Sequence, residues 1–358
     1  MVIRVYDRTT FELKYEFGPI ISTTQNKSVY AVGEFNVITH TISENIAVGD
    51  LLMASGIGSH EYAGWITDIE SVFENGVMEF TIKGVELLGI LTERMPFDGN
   101  TPIQTTPTVS GVIASLLVQK TMINAIDDLR NIPNLSIANN TNIGKYISYT
   151  VDPQKNVFEN VVEICKNGEI VPEITVDFAS KTYIFGVNQT KNYGIDTDSP
   201  VILSEKFDTL RSENYVYSTA AWKNVAYYGV AKSDATTYGQ VSLNAGSGWE
   251  RRERWIAVAT DKTDEQIQSI IRMQLGNFKP VTNIAAEYSD DGMFKYGVHF
   301  NMGDTICYSG KFGVTDVPVT GWTQTLDSAG YTFTLTLGDN MSQRVYTINQ
   351  ILGGVHGN

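Results

Sequence analysis

The sequence predicts a mainly β protein with an α+β insert, in which two similar β-barrel domains frame the inserted material. The first observation is a passage that occurs twice. Val48-Gly49-Asp50-Leu51-Leu52, Gly64-Trp65-Ile66-Thr67 and Phe80-Thr81-Ile82-Lys83-Gly84 near the start are matched by Met302-Gly303-Asp304-Thr305-Ile306, Gly321-Trp322-Thr323-Gln324 and Phe333-Thr334-Leu335-Thr336-Leu337-Gly338 near the end. The second is composition: 31 Gly, 18 Tyr and 15 Phe with only 18% charged residues suit strands joined by tight turns. At 358 residues the chain is long enough for two or three domains with ample cores.

Residues 1–98 read as the first β-barrel domain. Alternating runs such as Ile3, Val5 and Met78, Phe80, Ile82 are separated by turn residues, notably Glu74-Asn75-Gly76 and Gly56-Ile57-Gly58. From Met95 to Pro107 the composition shifts to Pro, Gly, Asp and Thr, so the α+β insert is placed at 99–199. Within it, Val112, Ile113, Leu116 and Leu117 predict an amphipathic helix from Ser110 to about Met122. A second helix is capped by Asn156, carries Val157, Val161, Val162 and Ile164, and stops at Gly168. Strands follow at Ile170 to Val176 and Lys181 to Val187.

Residues 200–340 read as the second β-barrel domain. It is assembled from residues around 201–230 and 295–340, with a linker helix at 264–275 packed alongside. Thr263 and Gln266 form a capping-box pattern there, and Ile267, Ile270, Ile271 and Leu275 share one face. Ile284, Ala286 and Tyr288 alternate as a strand leading into a Ser289-Asp290-Asp291-Gly292 turn. Residues 341–358 form a C-terminal segment.

Net charge is −14, from 26 Lys and Arg against 40 Asp and Glu, which disfavours tight binding to phosphate backbones. Cys165 and Cys307 have neither metal nor redox spacing and read as reduced core residues. The opening residues alternate like a strand rather than forming a secretion signal, and no apolar run is long enough to span a bilayer.

Catalytic, cofactor-binding and metal-binding residues are all expected to be absent. His40, His60, His299 and His356 lack ligand-spaced partners, and His299 alternates with Tyr296 and Phe300 as if on a strand. There is no nucleophile elbow, phosphate loop or zinc pattern; Gly56-Ile57-Gly58-Ser59-His60 reads as a hairpin loop, Asp196-Thr197-Asp198 lacks the rest of a calcium loop, and neighbouring Asp290 and Asp291 point apart. The residues singled out are those of the repeat. Gly49, Asp50, Gly303 and Asp304 are expected to set equivalent turns at a ring surface, and Gly64, Trp65, Gly321 and Trp322 to occupy matching packed positions. Trp249, in a Gly-rich loop beside Arg251 and Arg252, is expected to contact a partner.

The stretch from Pro200 to Tyr227, PVILSEKFDTLRSENYVYSTAAWKNVAY, resembles tail-hub proteins of tailed bacteriophages, the baseplate-hub or tail-tip family of siphoviruses with a trimeric two-barrel fold. Arg251-Arg252-Glu253-Arg254-Trp255-Ile256 and the opening Val2-Ile3-Arg4-Val5-Tyr6-Asp7, followed by Gly33-Glu34-Phe35, agree with it. The resemblance implies a homotrimeric, pseudo-sixfold ring in the virion, made in the bacterial host cytoplasm and placed at the tail tip or baseplate. It implies contact with a distal tail or tube ring protein above, a spike, fibre or tip protein below, and the tape measure protein. Transient passage of DNA past an acidic lumen would need no tight binding. No appended lysozyme, peptidase or fibre-binding extension is recognised. The expected function is thus a non-enzymatic structural hub that adapts a sixfold tube to a threefold tip and lines the exit channel. The alternatives are a host cell-wall glycan-binding module of the tail tip, using Trp249 and Tyr238, and, more remotely, a cell-wall hydrolase.

Overall fold

The computed structural model describes every residue except 57–58, 232–235, 245–246, 259–262, 290–291 and 339–358. The expected C-terminal segment 341–358, the Asp290-Asp291 pair, His356 and the centre of the Gly56 to Gly58 loop lie outside the described residues. The chain divides into two compact units, one formed by Met1–Glu213 with Ala285–Leu337, the other built on Asn214–Ile284.

In the first unit the chain opens with seven strands: β1 (Val2–Tyr6), β2 (Leu13–Glu16), β3 (Ile20–Ser28), β4 (Glu34–Thr39), β5 (Leu51–Ser55), β6 (Tyr62–Glu74) and β7 (Val77–Glu86). They lie in the order β3-β4-β7-β6-β5-β1-β2. The β6–β7 hairpin turns at Asn75 and Gly76, whose φ angles of 51° and 80° give the left-handed pair that a two-residue loop requires. Alternate residues of β4, Phe35 and Val37, are buried, as the period-two pattern demands.

The insert packs onto this sheet. Helix α1 (Ser110–Val118) and the π turn Gln119–Ile123 that continues it fill the predicted span. The helix is not amphipathic, however. Ser110, Gly111, Ile113, Ala114, Ser115, Leu117 and Val118 are all buried, so it is enclosed on nearly every side and both serines are interior. Helix α2 (Val157–Gly168) starts at Asn156, whose side chain accepts from Glu159 N–H while Glu159 returns the bond to the Asn156 backbone. Gly168 is the last helical residue, and the left-handed position falls on Glu169 at φ 53°. Strand β8 (Leu135–Ile137) runs parallel to β10 (Thr182–Gln189), which pairs antiparallel with β9 (Ile170–Asp177). Leu51 and Leu91 share one apolar core with Ile113, Val161, Cys165 and Phe185, welding insert to sheet. Buried Asn160 holds the preceding loop by donating to the carbonyls of Asp152, Lys155 and Asn156 and accepting from Asp152 N–H and the Tyr149 hydroxyl.

Strands β11 (Ile202–Ser204) and β12 (Leu210–Ser218) come next, and β12 crosses into the second unit. That unit holds β13 (Val225–Ala231), β14 (Thr236–Ser242) and β15 (Glu253–Trp255) in the order β14-β13-β15, and helix α3 (Asp264–Gly276). The Thr263 and Gln266 capping box is present. Ala226, Val230, Val241 and Ile256 pack with Ile267, Ile271 and Leu275 in a core of their own. Val225–Ala231, read from the sequence as part of the second barrel, therefore belongs to this separate sheet, and α3 covers it there. Its apolar periodicity is satisfied by a small core that sequence alone does not distinguish from a barrel wall.

β16 (Val281–Tyr288) leads back to the first unit, followed by β17 (Thr305–Gly310), β18 (Gly313–Asp327) and β19 (Gly330–Gly338). The strand path there is β12-β16-β19-β18-β3, with β17 paired to β18 and β11 parallel to β17. The first-unit ends of β12 and β16 are held by Ser289 N–H to Thr209 O at 3.3 Å and by the Ser212 hydroxyl to Glu287 at 2.9 Å. His299 is not on a strand: it lies in a turn, where its Nδ1 accepts from Lys295 N–H at 2.8 Å.

Candidate assembly site

The two Gly-Asp pairs form one turn built twice. Gly49 and Gly303 both have φ 90°, a conformation that favours glycine. Gly49 N–H donates to Ile66 O and Ile66 N–H to Asp50 O; Gly303 N–H donates to Val319 O and Val319 N–H to Asp304 O. Oδ2 of Asp50 accepts from Ala47 N–H, and Oδ2 of Asp304 from Asn301 N–H, each at 2.8 Å. The remaining carboxylate oxygen reaches different partners, Lys14 Nζ for Asp50 and Lys191 N–H for Asp304, both at 2.7 Å. Burial raises the pKa of Asp304 above the usual carboxylate value, opposed by the Lys191 and Asn301 amides, whereas the bond to Asp50 raises that of Lys14.

The equivalence continues along the strands. Both β6 and β18 carry an irregularity at the residue after this anchor, between Ile66 and Asp68 and between Val319 and Gly321. The intervening hydroxyls, Thr67 Oγ1 and Thr320 Oγ1, donate to Lys83 O and Thr336 O. Phe80 opposes Ser71 and Phe333 opposes Gln324, so the hairpins match residue for residue to their tips. In this register Trp65 matches Pro318, and Trp322 matches Ile69. The expected pairing of Gly64-Trp65 with Gly321-Trp322 is thus corrected by four residues: the strands correspond, but those two dipeptides do not.

Each tryptophan packs in its own surroundings. Trp65 lies 4.9 Å from the Tyr183 ring of the insert and its Nε1–H donates to Leu87 O at 3.4 Å. Trp322 is buried against Phe333 at 5.6 Å and Tyr62 at 6.2 Å. A Cβ built on Gly64 falls 2.5 Å from Val85 O, and one on Gly321 falls 2.7 Å from Lys27 O, so both glycines sit where neighbouring backbone comes close.

The matching strands differ in what covers them. β18 is paired on its far side by β3 from Gly321 opposite Ser28 to Leu326 opposite Thr23. β5 covers the corresponding side of β6 only from Tyr62 to Trp65. From Asp68 to Glu74 that edge has no strand beside it among the described residues, and Ile69, Val72 and Phe73 are exposed.

In the second unit, Trp249 is 99% exposed. Arg251 is engaged with Glu253 at 2.5 Å and with the Tyr227 hydroxyl at 3.0 Å. Arg252 donates to Thr219 O at 2.7 Å and stacks over Trp222. Of the three residues expected at a partner contact, Trp249 alone leaves its whole side chain uncommitted.

The first unit also contains a cavity of about 680 Å³ lined by Lys27, His60, Glu86, Glu173, Lys191 and Asp304 among others. Burial pushes the Glu86 carboxyl up to about 7, opposed by Lys27. No group of three or more His, Cys, Asp or Glu able to hold a metal occurs among the described residues, and none of their helices is long and apolar enough to cross a membrane. Lys14, Lys191, Thr67 and Thr320 are structural partners of the repeat that the sequence reading missed. Aligning the copies on Phe80 and Phe333 brings Thr67 onto Thr320, a signal that the shared Gly-Trp dipeptide obscured.

No curated protein sequence matches the chain. The fold is similar to the 43 kDa tail protein of prophage MuSo2 from Shewanella oneidensis, with TM-score 0.61, 10% identity, and 94% and 98% of the two chains covered. It is also similar to a tail protein from Neisseria meningitidis, with TM-score 0.57, 13% identity, and 94% and 97% covered. A prophage tail protein from Listeria monocytogenes gives TM-score 0.54 and 12% identity over 99% and 100% of the chains. A family model described as siphovirus ReqiPepy6 Gp37-like protein matches residues 2–339. The chain therefore belongs to the siphovirus ReqiPepy6 Gp37-like protein family.

Proposed function

We propose that three copies of the chain close a ring at the tail tip and act as a non-enzymatic hub between the sixfold tube and a threefold tip. The observation that carries this reading is the open edge of β6. In the second copy of the repeat the same edge, on β18, is occupied by β3. At the other end of the strand path β12 holds the place in β12-β16-β19-β18 that β3 holds in β3-β4-β7-β6. Pairing β6 of one subunit with β12 of the next would repeat the β18–β3 junction between chains and remove both open edges. Three chains of two repeats would then present six near-equivalent units.

In this reading 1–98 is one barrel domain, 200–213 together with 285–337 forms the other, 99–199 is the insert, Asn214–Ile284 is a unit of its own, and 341–358 is a C-terminal segment. The Gly-Asp turns would lie at equivalent places on the ring. Its partners would be the tube or distal tail ring above, a spike, fibre or tip protein below, and the tape measure protein. A net charge of −14 favours a lumen that lets DNA pass without holding it. Light scattering on the full chain should give three times the subunit mass. The double variant Val72→Asp/Phe73→Asp, at exposed edge positions, should remain folded and run as a monomer. A parent that stays monomeric at every concentration, or a double variant that still forms trimers, rejects the proposal.

A further inference from the structure

We propose that the outer face of the three-stranded sheet in the second unit is a binding site for an uncharged glycan. Ala226, Tyr228 and Val241 face α3, so the alternate positions Tyr227, Gly229, Tyr238, Gln240, Glu253 and Trp255 lie on the opposite face. Tyr227 is aligned with Gln240 on one side and Trp255 on the other, and Gly229 with Tyr238. Gly229 forms the floor beneath the Trp255 ring: a Cβ there would fall 3.0 Å from Trp255 Cη2. The indole so reaches Tyr238 in an edge contact with ring centres 6.2 Å apart. Trp255 remains 53% exposed and Tyr238 72%, which makes an aromatic platform spanning three strands.

Beside it stands an ordered polar rim. Arg251 donates through Nε to Glu253 at 2.5 Å and through Nη2 to the Tyr227 hydroxyl at 3.0 Å and Gln240 Oε1 at 3.2 Å. The guanidinium thereby fixes three side chains at once and leaves the Gln240 amide N–H groups and Glu253 Oε2 without partners among the described residues. A sugar ring has the complementary chemistry, an apolar C–H face to lie on aromatics and a rim of hydroxyls that both donate and accept. Charge selects the class. Arg251 and Glu253 neutralise each other at the rim, which leaves no unpaired charge there to select an ionic ligand, so an uncharged saccharide fits.

The test is saturation-transfer NMR and calorimetric titration of the full chain with two uncharged probes, the N-acetylglucosamine hexamer and maltohexaose. At least one should bind, with transfer to the ring-face protons. Trp255→Ala and Tyr238→Ala, both at exposed positions, should each weaken that binding about tenfold or more while the far-ultraviolet circular dichroism is unchanged. Gly229→Val should weaken it too, by lifting the indole. Failure of both probes to bind, affinity untouched by these variants, or displacement of the glycan by hexathymidylate would each overturn the assignment. None of these outcomes bears on subunit mass, so ring formation is judged separately.

Discussion

Asp50 and Asp304 occupy the same place in two copies of one turn but balance their charge differently. Each accepts a backbone N–H three residues back, at 2.8 Å. Asp50 gives its other oxygen to the Lys14 ammonium, whereas Asp304 gives its own to a second backbone amide, that of Lys191. Asparagine has a single acceptor oxygen, so the two sites respond unequally to replacement. Asp304→Asn leaves one buried N–H facing an NH₂ group and should cost about 2 kcal/mol. Asp50→Asn should cost about 1 kcal/mol, because Lys14 is a quarter exposed and has Asp7 at 3.6 Å as a second partner. Urea unfolding of the two variants measures the difference, and equal losses would refute the argument.

Gly64→Asp and Gly321→Asp should both impair folding and ring assembly. At Gly64 the new Cβ meets Val85 O at 2.5 Å and the Phe35 ring at 3.0 Å, inside a strand flanked on both sides. At Gly321 it meets Lys27 O at 2.7 Å, in the strand pair that joins the two repeats. Overpacking and a charge placed in a sheet together predict a loss of about 3 kcal/mol at each site. Denaturation midpoints and the mass of the assembled species report it. Normal particles carrying both changes would count decisively against an essential role for these strands.

Much of this architecture was legible in the sequence because it rests on local chemistry. The Thr263 and Gln266 box, the Asn156 cap and the Asn75-Gly76 turn each announce themselves within four residues, and each is present. The Gly-Asp turn was legible for the same reason, since its glycine and aspartate both serve the turn itself. Register was not. Gly64-Trp65 and Gly321-Trp322 are chemically alike, yet the bulges at Thr67 and Thr320 and the chain-distant partners Lys83 and Thr336 decide the alignment. The character of α1 was hidden too, because burial of Ser110 and Ser115 depends on the packing of the whole insert. Nor does a strand such as Val225–Ala231 state which sheet it joins.

Stability should fall as pH rises from the acid side of neutrality, through Glu86. Burial pushes its carboxyl up to about 7 from an ordinary 4.5, and its buried Oε2 has no hydrogen-bond partner among the described residues. Between those values the folded chain holds a proton that the unfolded chain releases, so folding is favoured at the lower pH and the advantage disappears above the folded pKa. The full span is worth about 3 kcal/mol. Asp304, also raised by burial, acts in the same direction at lower pH. Glu86→Gln should flatten the difference in urea midpoint between about pH 5 and about pH 8 and stabilise the chain at the higher value. An unchanged slope in the variant would exclude Glu86 as its source.

Trp322 and Ile69 are structural counterparts with opposite exposure, 3% against 36%, and this contrast separates folding from assembly. Trp322 is covered because β3 pairs with its strand and Phe333 and Tyr62 enclose the ring. Trp322→Ala should therefore cost about 4 kcal/mol of stability in the isolated chain. Among the described residues Ile69 has no neighbouring strand on its open side, so Ile69→Ala should shift monomer stability by less than about 0.5 kcal/mol. If a second copy supplies the missing strand, the same small change should raise the concentration at which trimers dissociate about tenfold, because Ile69 would then stand where Trp322 stands. Unfolding of dilute chain and light scattering across a dilution series measure the two effects independently. An Ile69→Ala variant with parental trimer dissociation would show that this edge is not the junction.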